Sequence, residues 1–317
     1  MKAIMYHYVR AYDANFPNFK YLHVEDFVRQ LDYLSKSFRF ISLDEFLAIL
    51  SRTEELPGDV ALLTFDDGFS EHYQHVLPEL KKRNTFGLFY IPTAPLENGE
   101  LLDVHKIHLL TGRVDGQILL KQLSALAKED MFPGQQLVEF RNLTYLQQDN
   151  AESITHFKRA LNYFIDYRSR KDVLNTLMSV NQIEPDSGKF YLSAGQIREM
   201  HDSGMLIGSH SVSHRVFSKL SPQEQRFEIE HSFDLLAKIV GEFRVKSFCY
   251  PYGGFHSFNQ TTETILDQVG CRFTFNVESR DVCWRDVNLR PQALPRYDCN
   301  EFPYGQTRVC PMAALKD

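Results

Sequence analysis

The stretch Val60-Ala61-Leu62-Leu63-Thr64-Phe65-Asp66-Asp67-Gly68 decides the fold of this chain. Its uninterrupted run of apolar and β-prone residues predicts a strand buried on both faces, as in a parallel sheet. The run ends in two acids and a glycine, which is a poor design for a core. The same ending is a good way to place carboxylates at the carboxyl edge of a parallel sheet, where ligands bind.

Further short β-rich runs alternate with helical patterns, which indicates βα units and a parallel sheet. The candidate strands are Lys2–His7, Phe38–Ser42, Val60–Phe65, Phe86–Ile91, Met205–His210, Lys246–Tyr250 and Arg272–Val277. Two helix starts fit the capping box, at Ser42-Leu-Asp-Glu45 and at Ser221-Pro-Gln-Glu224. Seven such units can close as a barrel or remain an open sheet, and the pattern alone does not decide between the two.

The alternation stops from about 101 to 190, where the pattern is mainly helical. We interpret this stretch as a helical insertion in one catalytic domain that spans residues 1–317. The insertion is either a lid or substrate-recognition subdomain, or a packing elaboration without a role in recognition.

Composition limits the class of protein. With 43% hydrophobic and 24% charged residues, the 317-residue chain is ordinary for a soluble globular protein, and its net charge of −6 argues against nucleic acid as a partner. We find no signal-peptide core and no apolar window of the roughly 18 residues that a membrane span needs. The cysteines are odd in number and form no C-x-x-C pair, which favours free thiols in a reducing compartment, so we expect a cytoplasmic protein.

Two motifs offer metal ligands. Adjacent carboxylates such as Asp66 and Asp67 repel each other unless a cation or a shared proton intervenes, although an Asp-Asp-Gly turn is also common in loops. Gly-Ser-His210-Ser-Val-Ser-His214 follows the apolar run Met-Leu-Ile, and histidines four apart on a helical turn share one face. Two His nitrogens and one Asp oxygen leave coordination positions open for water and substrate, whereas a histidine pair alone is more often surface decoration.

Two further features could complete such a site. Phe248-Cys-Tyr-Pro251-Tyr252-Gly-Gly254 is an end-of-strand turn that could aim a backbone N–H at a developing oxyanion. His7 lies near the end of the first predicted strand, and histidine titrates near neutral pH, as a general acid must. A histidine in that position is most often structural or merely exposed.

The three motifs Thr64–Gly68, Ser209–His214 and Tyr250–Gly253 resemble, in order and in placement at strand ends, those of the polysaccharide deacetylases, the NodB-like carbohydrate esterases. The resemblance covers about 1–7, 38–94 and 192–279. It implies a distorted (β/α)7 barrel in the TIM-barrel style. It also implies that Asp67, His210 and His214 bind the metal, that Asp66 is the catalytic base, and that the N–H of Tyr252, after Pro251, helps to hold the oxyanion.

The sequence departs from this family at two places. Many members carry an arginine two residues before the proline of the third motif, where it braces the base, but this chain has Cys249, so we expect Asp66 to lack that partner. Many members take a catalytic histidine from a Leu-x-His motif, but the counterpart here, Ala-Leu-Pro-Arg296, has none. Both departures resemble the branch that de-N-acetylates poly-N-acetylglucosamine, in which a Tyr-His dipeptide supplies the acid. His7 occupies that position.

The resemblance thus implies a metal-dependent hydrolase that removes acetyl groups from an N-acetylated amino sugar. Zinc is the default metal, with iron, cobalt, nickel or manganese possible. A cytoplasmic location favours a nucleotide sugar or a lipid-linked glycan, a precursor of a surface polysaccharide such as O-antigen or capsule. His105, near the start of the insertion, could line the sugar site, although a solvated helix start is an equal alternative.

Three rival hypotheses stay open at this point. One is a catalytically inactive carbohydrate-binding relative, which the missing arginine and C-terminal histidine permit. Another is an O-deacetylase or other amidase on the same metal site. The third is an oxygenase with iron in the 2-His-1-carboxylate set, although the paired acids Asp66 and Asp67 fit water activation better.

Overall fold

The computed structural model describes residues 1–51, 56–132, 137–145 and 150–307, without the side chains of 137–139. The described chain separates into two compact units. The first contains residues 1–11, 21–99 and 187–307, and the second contains residues 12–20 and the described part of 100–186. No helix in the described ranges combines the length and the apolar character needed to cross a membrane.

The first unit is built on one curled sheet in which neighbouring strands are parallel. The ten strands of the unit are β1 Lys2–Tyr6, β2 Val9–Arg10, β3 Leu22–His23, β4 Arg39–Phe40, β5 Val60–Phe65, β6 Leu88–Ile91, β7 Leu206–Ser209, β8 Ser247–Cys249, β9 Phe273–Phe275 and β10 Tyr297–Asp298. Their order in the large sheet is β10-β1-β5-β6-β7-β8-β9, with β4 also paired to β5, and β2 pairs with β3 separately. The curled parallel sheet confirms the predicted distorted barrel, and all seven predicted strands are present.

The helices of the described chain are α1 Val24–Ser37, α2 Leu43–Leu50, α3 Leu77–Lys82, α4 Ala94–Asn98, α5 Asp103–Arg113, α6 Gly116–Leu126, α7 Leu137–Leu143, α8 Glu152–Arg159, α9 Tyr167–Val180, α10 Ser187–Phe190, α11 Ala194–Asp202, α12 Pro222–Val240, α13 Gln260–Gln268 and α14 Trp284–Leu289. Helices α5 to α9 belong to the second unit, and two π-helical turns also occur, His72–Val76 and Ala160–Phe164. The described part of the stretch predicted as a helical insertion therefore contains helices and no strand.

Side chains along a strand point alternately to the two faces of the sheet, and here each face is covered by an apolar layer. In β5, Ala61, Leu63 and Phe65 join the layer that also contains residues of α1, α3, α11 and α12. Val60 and Leu62 join the other layer, which also contains Tyr90 and Cys249. The strand therefore buries both faces, as its uninterrupted apolar run predicts.

One short segment pairs with both edges of the sheet. Leu294 forms a parallel bridge with Phe275 of β9, and three residues later β10 pairs with β1. This segment brings Arg296, which lies between the two pairings, into the buried interior, where only 1% of the residue is exposed.

The two predicted capping boxes differ in outcome. Ser221 and Glu224 form the complete reciprocal pair at the start of α12. Ser42 caps α2 by accepting from the N–H of Glu45, but the carboxylate of Glu45 pairs with Arg39 instead of reaching back. The four described cysteines are free thiols, in agreement with prediction, and Cys310 lies outside the described residues.

Candidate active site

The two acids of the first motif leave β5 at its carboxyl end and are both buried, with 2% of Asp66 and 3% of Asp67 exposed. The chain turns at once, because Asp67 has φ 76° and Gly68 has φ 62°. A positive φ is unusual for a residue with a side chain and is found mostly where surrounding structure holds the backbone. The turn separates the two carboxylates, so that each meets a different set of partners.

Asp67 meets the two histidines of the second motif. Its Oδ1 lies 3.5 Å from Nε2 of His210 and 3.3 Å from Nε2 of His214. All three residues are buried, and their ligand atoms form one compact group that could hold a metal ion. Donors bound at about 2.0–2.2 Å to a tetrahedral metal ion such as zinc are roughly 3.3–3.6 Å apart, so the residues fit the group that the resemblance implies.

The orientation of His210 also suits metal binding. Its Nδ1 lies 2.8 Å from the carbonyl oxygen of Cys249, which can only accept a hydrogen bond, so Nδ1 carries the proton. With the proton on Nδ1, Nε2 is the nitrogen that can offer a lone pair to a metal ion, and it faces Asp67.

The second motif is a loop and not the helical turn that its histidine spacing suggested. No helix covers Ser209–His214, and both Ser211 (φ 67°) and His214 (φ 53°) have left-handed backbone. The rings of His210 and His214 nevertheless lie close, with centroids 4.8 Å apart. The two rings thus come together as predicted, but a loop brings them together and not the predicted helical turn.

Asp66 meets an arginine that the sequence did not indicate. The guanidinium of Arg296 donates to both carboxylate oxygens of Asp66, over 2.9 and 2.8 Å, and also to Thr64 and to the sulfur of Cys249. The expectation that Asp66 lacks a bracing arginine was therefore wrong. Arg296 comes from the Ala-Leu-Pro-Arg segment whose missing histidine was the only signal that this position is unusual.

This ion pair determines the charge of Asp66. Burial raises the pKa of Asp66, but the charge and the hydrogen bonds of Arg296, with smaller effects of His210 and His7, lower it to about 2. Asp66 is thus ionised at neutral pH, as a general base must be. The thiol of Cys249 donates to the same carboxylate over 3.4 Å.

His7 follows β1 and lies beside the same carboxylate. Its Nε2 is 3.9 Å from Oδ2 of Asp66, and 41% of its side chain is exposed, so a substrate could reach it. The main-chain carbonyl of His7 accepts a hydrogen bond from Nε2 of the buried His72 over 2.8 Å. Burial lowers the pKa of His72 to about 4, so the ring is neutral at pH 7. Its single ring proton is on Nε2, because the carbonyl oxygen of His7 can only accept a hydrogen bond.

The third motif forms a tight turn after β8. Tyr252 has φ 65°, and its ring centroid is 5.0 Å from that of His214. Pro251 is buried, and Gly253 (φ 65°) packs so closely that an added Cβ would lie 2.4 Å from Cγ1 of Val277. The structure thus places this turn beside His214.

His105 lies in the second unit, on α5, and is fully buried there. Its ring centroid is 5.9 Å from that of His108 on the same helix. The alternative of a solvated helix start is therefore wrong for His105, and its role in sugar binding stays a prediction.

The chain is similar to known proteins in both sequence and fold. A family model described as polysaccharide deacetylase matches residues 158–274, which include His210, His214 and the third motif. The structure resembles the Streptococcus pyogenes deacetylase PplD in complex with acetate, at 17% identity and a TM-score of 0.59, over 94% of this chain and 91% of that one. No curated protein sequence matches the chain.

Two other solved structures share the fold. IcaB from Ammonifex degensii has 20% identity and a TM-score of 0.53, over 93% of this chain and 90% of that chain. The BpsB deacetylase domain from Bordetella bronchiseptica has 15% identity and a TM-score of 0.52, over 94% of each chain. Fold, motifs and family match confirm the predicted class, a hydrolase of amide bonds. Over the part of the chain that the family model matches, the sequence resembles the polysaccharide deacetylases, which generally use a divalent metal ion.

Proposed function

We propose that this protein is a metal-dependent carbohydrate N-deacetylase. The observation that carries the proposal is a buried cluster in which Oδ1 of Asp67 lies within 3.5 Å of Nε2 of both His210 and His214. An ionised Asp66 and an accessible His7 lie next to it.

Each residue has a role in amide hydrolysis. Asp67, His210 and His214 would hold a divalent metal ion, which when bound would supply a Lewis acid for the acetamide carbonyl and would lower the pKa of water at the site. Asp66, whose pKa of about 2 keeps it ionised, accepts the proton of the attacking water. His7 donates a proton to the leaving amine.

The remaining assignments concern substrate and metal. The N–H of Tyr252, in the turn after Pro251, stabilises the oxyanion. Zinc is the first candidate for the metal, and iron, cobalt, nickel and manganese are alternatives.

The proposed substrate is an N-acetylated amino sugar in a nucleotide sugar or a lipid-linked glycan. We place this reaction in the cytoplasm, in the synthesis of a surface polysaccharide such as O-antigen or capsule. The support is the family resemblance and the expectation of a cytoplasmic location, which favours a precursor over a finished extracellular polymer. Activity only on long polymers, as measured by mass spectrometry of the products, would contradict the choice of a precursor.

The first test is acetate release from N-acetylated nucleotide sugars, lipid-linked glycans and short oligosaccharides, with and without chelator. We expect chelator-sensitive release from wild type, none from Asp66→Asn with metal still bound, and loss of the metal from His214→Ala. No release from any substrate with any metal would favour the inactive carbohydrate-binding relative. Release from O-acetylated sugars alone would favour an O-deacetylase.

A further inference from the structure

The loop that carries both histidine ligands is held in an unfavourable conformation. Ser211 (φ 67°) and His214 (φ 53°) both lie in the left-handed region, which residues with a side chain adopt at a free-energy cost. Such a conformation persists only where other contacts stabilise it. The hydrogen bonds of the loop should therefore show what holds the ligands in place.

Side chains, and not backbone carbonyls, take up four consecutive N–H groups of this loop. The N–H of Ser211 donates to Oγ of Ser209, and the N–H of His214 donates to Oγ of Ser211. The N–H groups between them, of Val212 and Ser213, both donate to Oε2 of Glu228, over 2.9 and 2.8 Å. One carboxylate thus binds the middle of the loop.

Glu228 lies on α12 and is 4% exposed. Its second oxygen, Oε1, accepts a hydrogen bond from the hydroxyl of Ser213. Within the described part of the chain, no Lys, Arg or His forms an ion pair with Glu228. Its charge is balanced by donors of the metal loop, and charge-assisted hydrogen bonds of this kind are stronger than neutral ones.

The same face of α12 makes a second contact with the loop. Ser232, four residues after Glu228 and therefore one helical turn further along, has its Oγ 2.6 Å from Oγ of Ser209. Ser209 is the residue immediately before His210. Helix α12 thus contacts the loop at its start and at its middle, on both sides of the first histidine ligand.

We infer that Glu228 is a positioning residue for the metal site: it holds the His210–His214 loop so that both Nε2 atoms face Asp67. This inference rests on the proposed metal-dependent function. Residues outside the ligand set that orient metal ligands typically contribute 10- to 100-fold to metal affinity. A role limited to packing α12 would change stability and leave metal affinity unaltered.

The test measures zinc affinity of the metal-free protein by competition with a chromophoric chelator, together with the Tm of the metal-free form. We expect Glu228→Gln to lose about 10- to 100-fold in zinc affinity, because the neutral amide weakens the hydrogen bonds from the two N–H groups and puts an NH2 group in place of Oε1, the acceptor of the Ser213 hydroxyl. Glu230→Gln is the matched control on the same helix, since its side chain is 46% exposed and pairs only with Arg226 among described residues. It should bind zinc as wild type does.

Each result is decisive. Wild-type zinc affinity in Glu228→Gln would overturn the inference, even if its Tm fell. If Glu228→Gln does not fold, Glu228→Asp keeps the charge with a shorter reach, and it should fold with weakened zinc affinity; unchanged affinity there would also overturn the inference. Wild-type protein that neither binds zinc nor releases acetate would instead contradict the proposed function.

Discussion

At the scale of single residues, the buried pair of Asp66 and Arg296 matters for stability as well as for the proposed catalysis. Both side chains are almost fully buried, at 3% and 1% exposed. Removing charges from water is costly, and two parallel hydrogen bonds offset that cost only while both partners are present. Loss of one partner leaves an uncompensated buried charge.

We therefore expect Arg296→Met to lower the free energy of unfolding at pH 7 by about 3–5 kcal/mol. Adding Asp66→Asn to Arg296→Met should recover part of this loss, because the lone carboxylate is gone. Urea unfolding of both single variants and the double variant measures the coupling between the two residues. Losses that simply add in the double variant would contradict the role of the pair.

The acids and histidines of the site could be predicted because each motif is local in sequence and ends a strand. Arg296 could not, because it is 230 residues from Asp66 and meets it only through the return of the chain between β9 and β1. No periodicity or spacing marks such a pair. Cys249 lies where many members of the family have the arginine that braces the base. It therefore indicates only that this arginine is absent from its usual position, and not which residue takes its place.

Glu71 provides a prediction about pH. Its side chain is 11% exposed; one oxygen pairs with Arg10 at 2.8 Å, and the other has no hydrogen-bond partner among the described residues. Burial raises the pKa of Glu71 from 4.5 to about 7, against the opposing effect of Arg10. Between these two pH values the folded state binds a proton that the unfolded state has released, so stability is lost as pH rises.

We expect Glu71→Gln to remove this pH dependence. Relative to the variant, wild type should lose up to about 3 kcal/mol of unfolding free energy between pH 4.5 and pH 8. The exposed Asp202→Asn serves as control and should follow wild type. Parallel pH profiles of wild type and Glu71→Gln, measured by urea unfolding, would show that Glu71 releases its proton at the same pH in both states.

At the scale of elements, apolar runs predicted the strands that carry the site but missed three others. Strands β2, β3 and β10 have two residues each, too few for a period of two to be recognised. The loop at His210 was mistaken for a helical turn because spacing alone does not reveal which partners its N–H groups have. Glu228, which takes two of them, belongs to a different element.

Gly208 in β7 tests how tightly the sheet packs. An added Cβ would lie 2.5 Å from a ring atom of Tyr90 and 2.6 Å from Oγ of Ser247. We expect Gly208→Ala to destabilise the protein by about 1–3 kcal/mol, because overpacking shifts neighbours in a dense core. Its unfolding by urea would reveal the loss.

Gly195 in α11 is the matched control for Gly208. The nearest atom to its added Cβ is 3.9 Å away. Gly195→Ala should stabilise by about 0.5–1 kcal/mol, because alanine favours helix where there is space. Equal destabilisation by both substitutions would show that loss of glycine itself, and not contact with Tyr90, is responsible.

At the scale of the whole molecule, the unit that contains the proposed metal ligands has hydrophobic clusters of its own. The three clusters around its sheet are formed entirely by residues of that unit. Gly99 and Ser187, where the chain leaves and re-enters the unit, are joined by a hydrogen bond from Oγ of Ser187 to the carbonyl of Gly99. A short linker could therefore replace 100–186.

We expect the chain with 100–186 replaced by a short Gly-Ser linker, and with Phe16→Ser and Phe19→Ser in the remaining loop, to unfold cooperatively and to bind zinc as the full chain does. Independent cores and adjacent chain ends predict this result. Circular dichroism, urea unfolding and zinc competition measure it, with Phe16→Ser and Phe19→Ser in the full chain as control.

A raised KM with retained zinc affinity would assign substrate recognition to the helical unit, and unchanged kinetics would make that unit a packing elaboration. Loss of cooperative unfolding in the shortened chain alone would contradict the independence of the sheet unit.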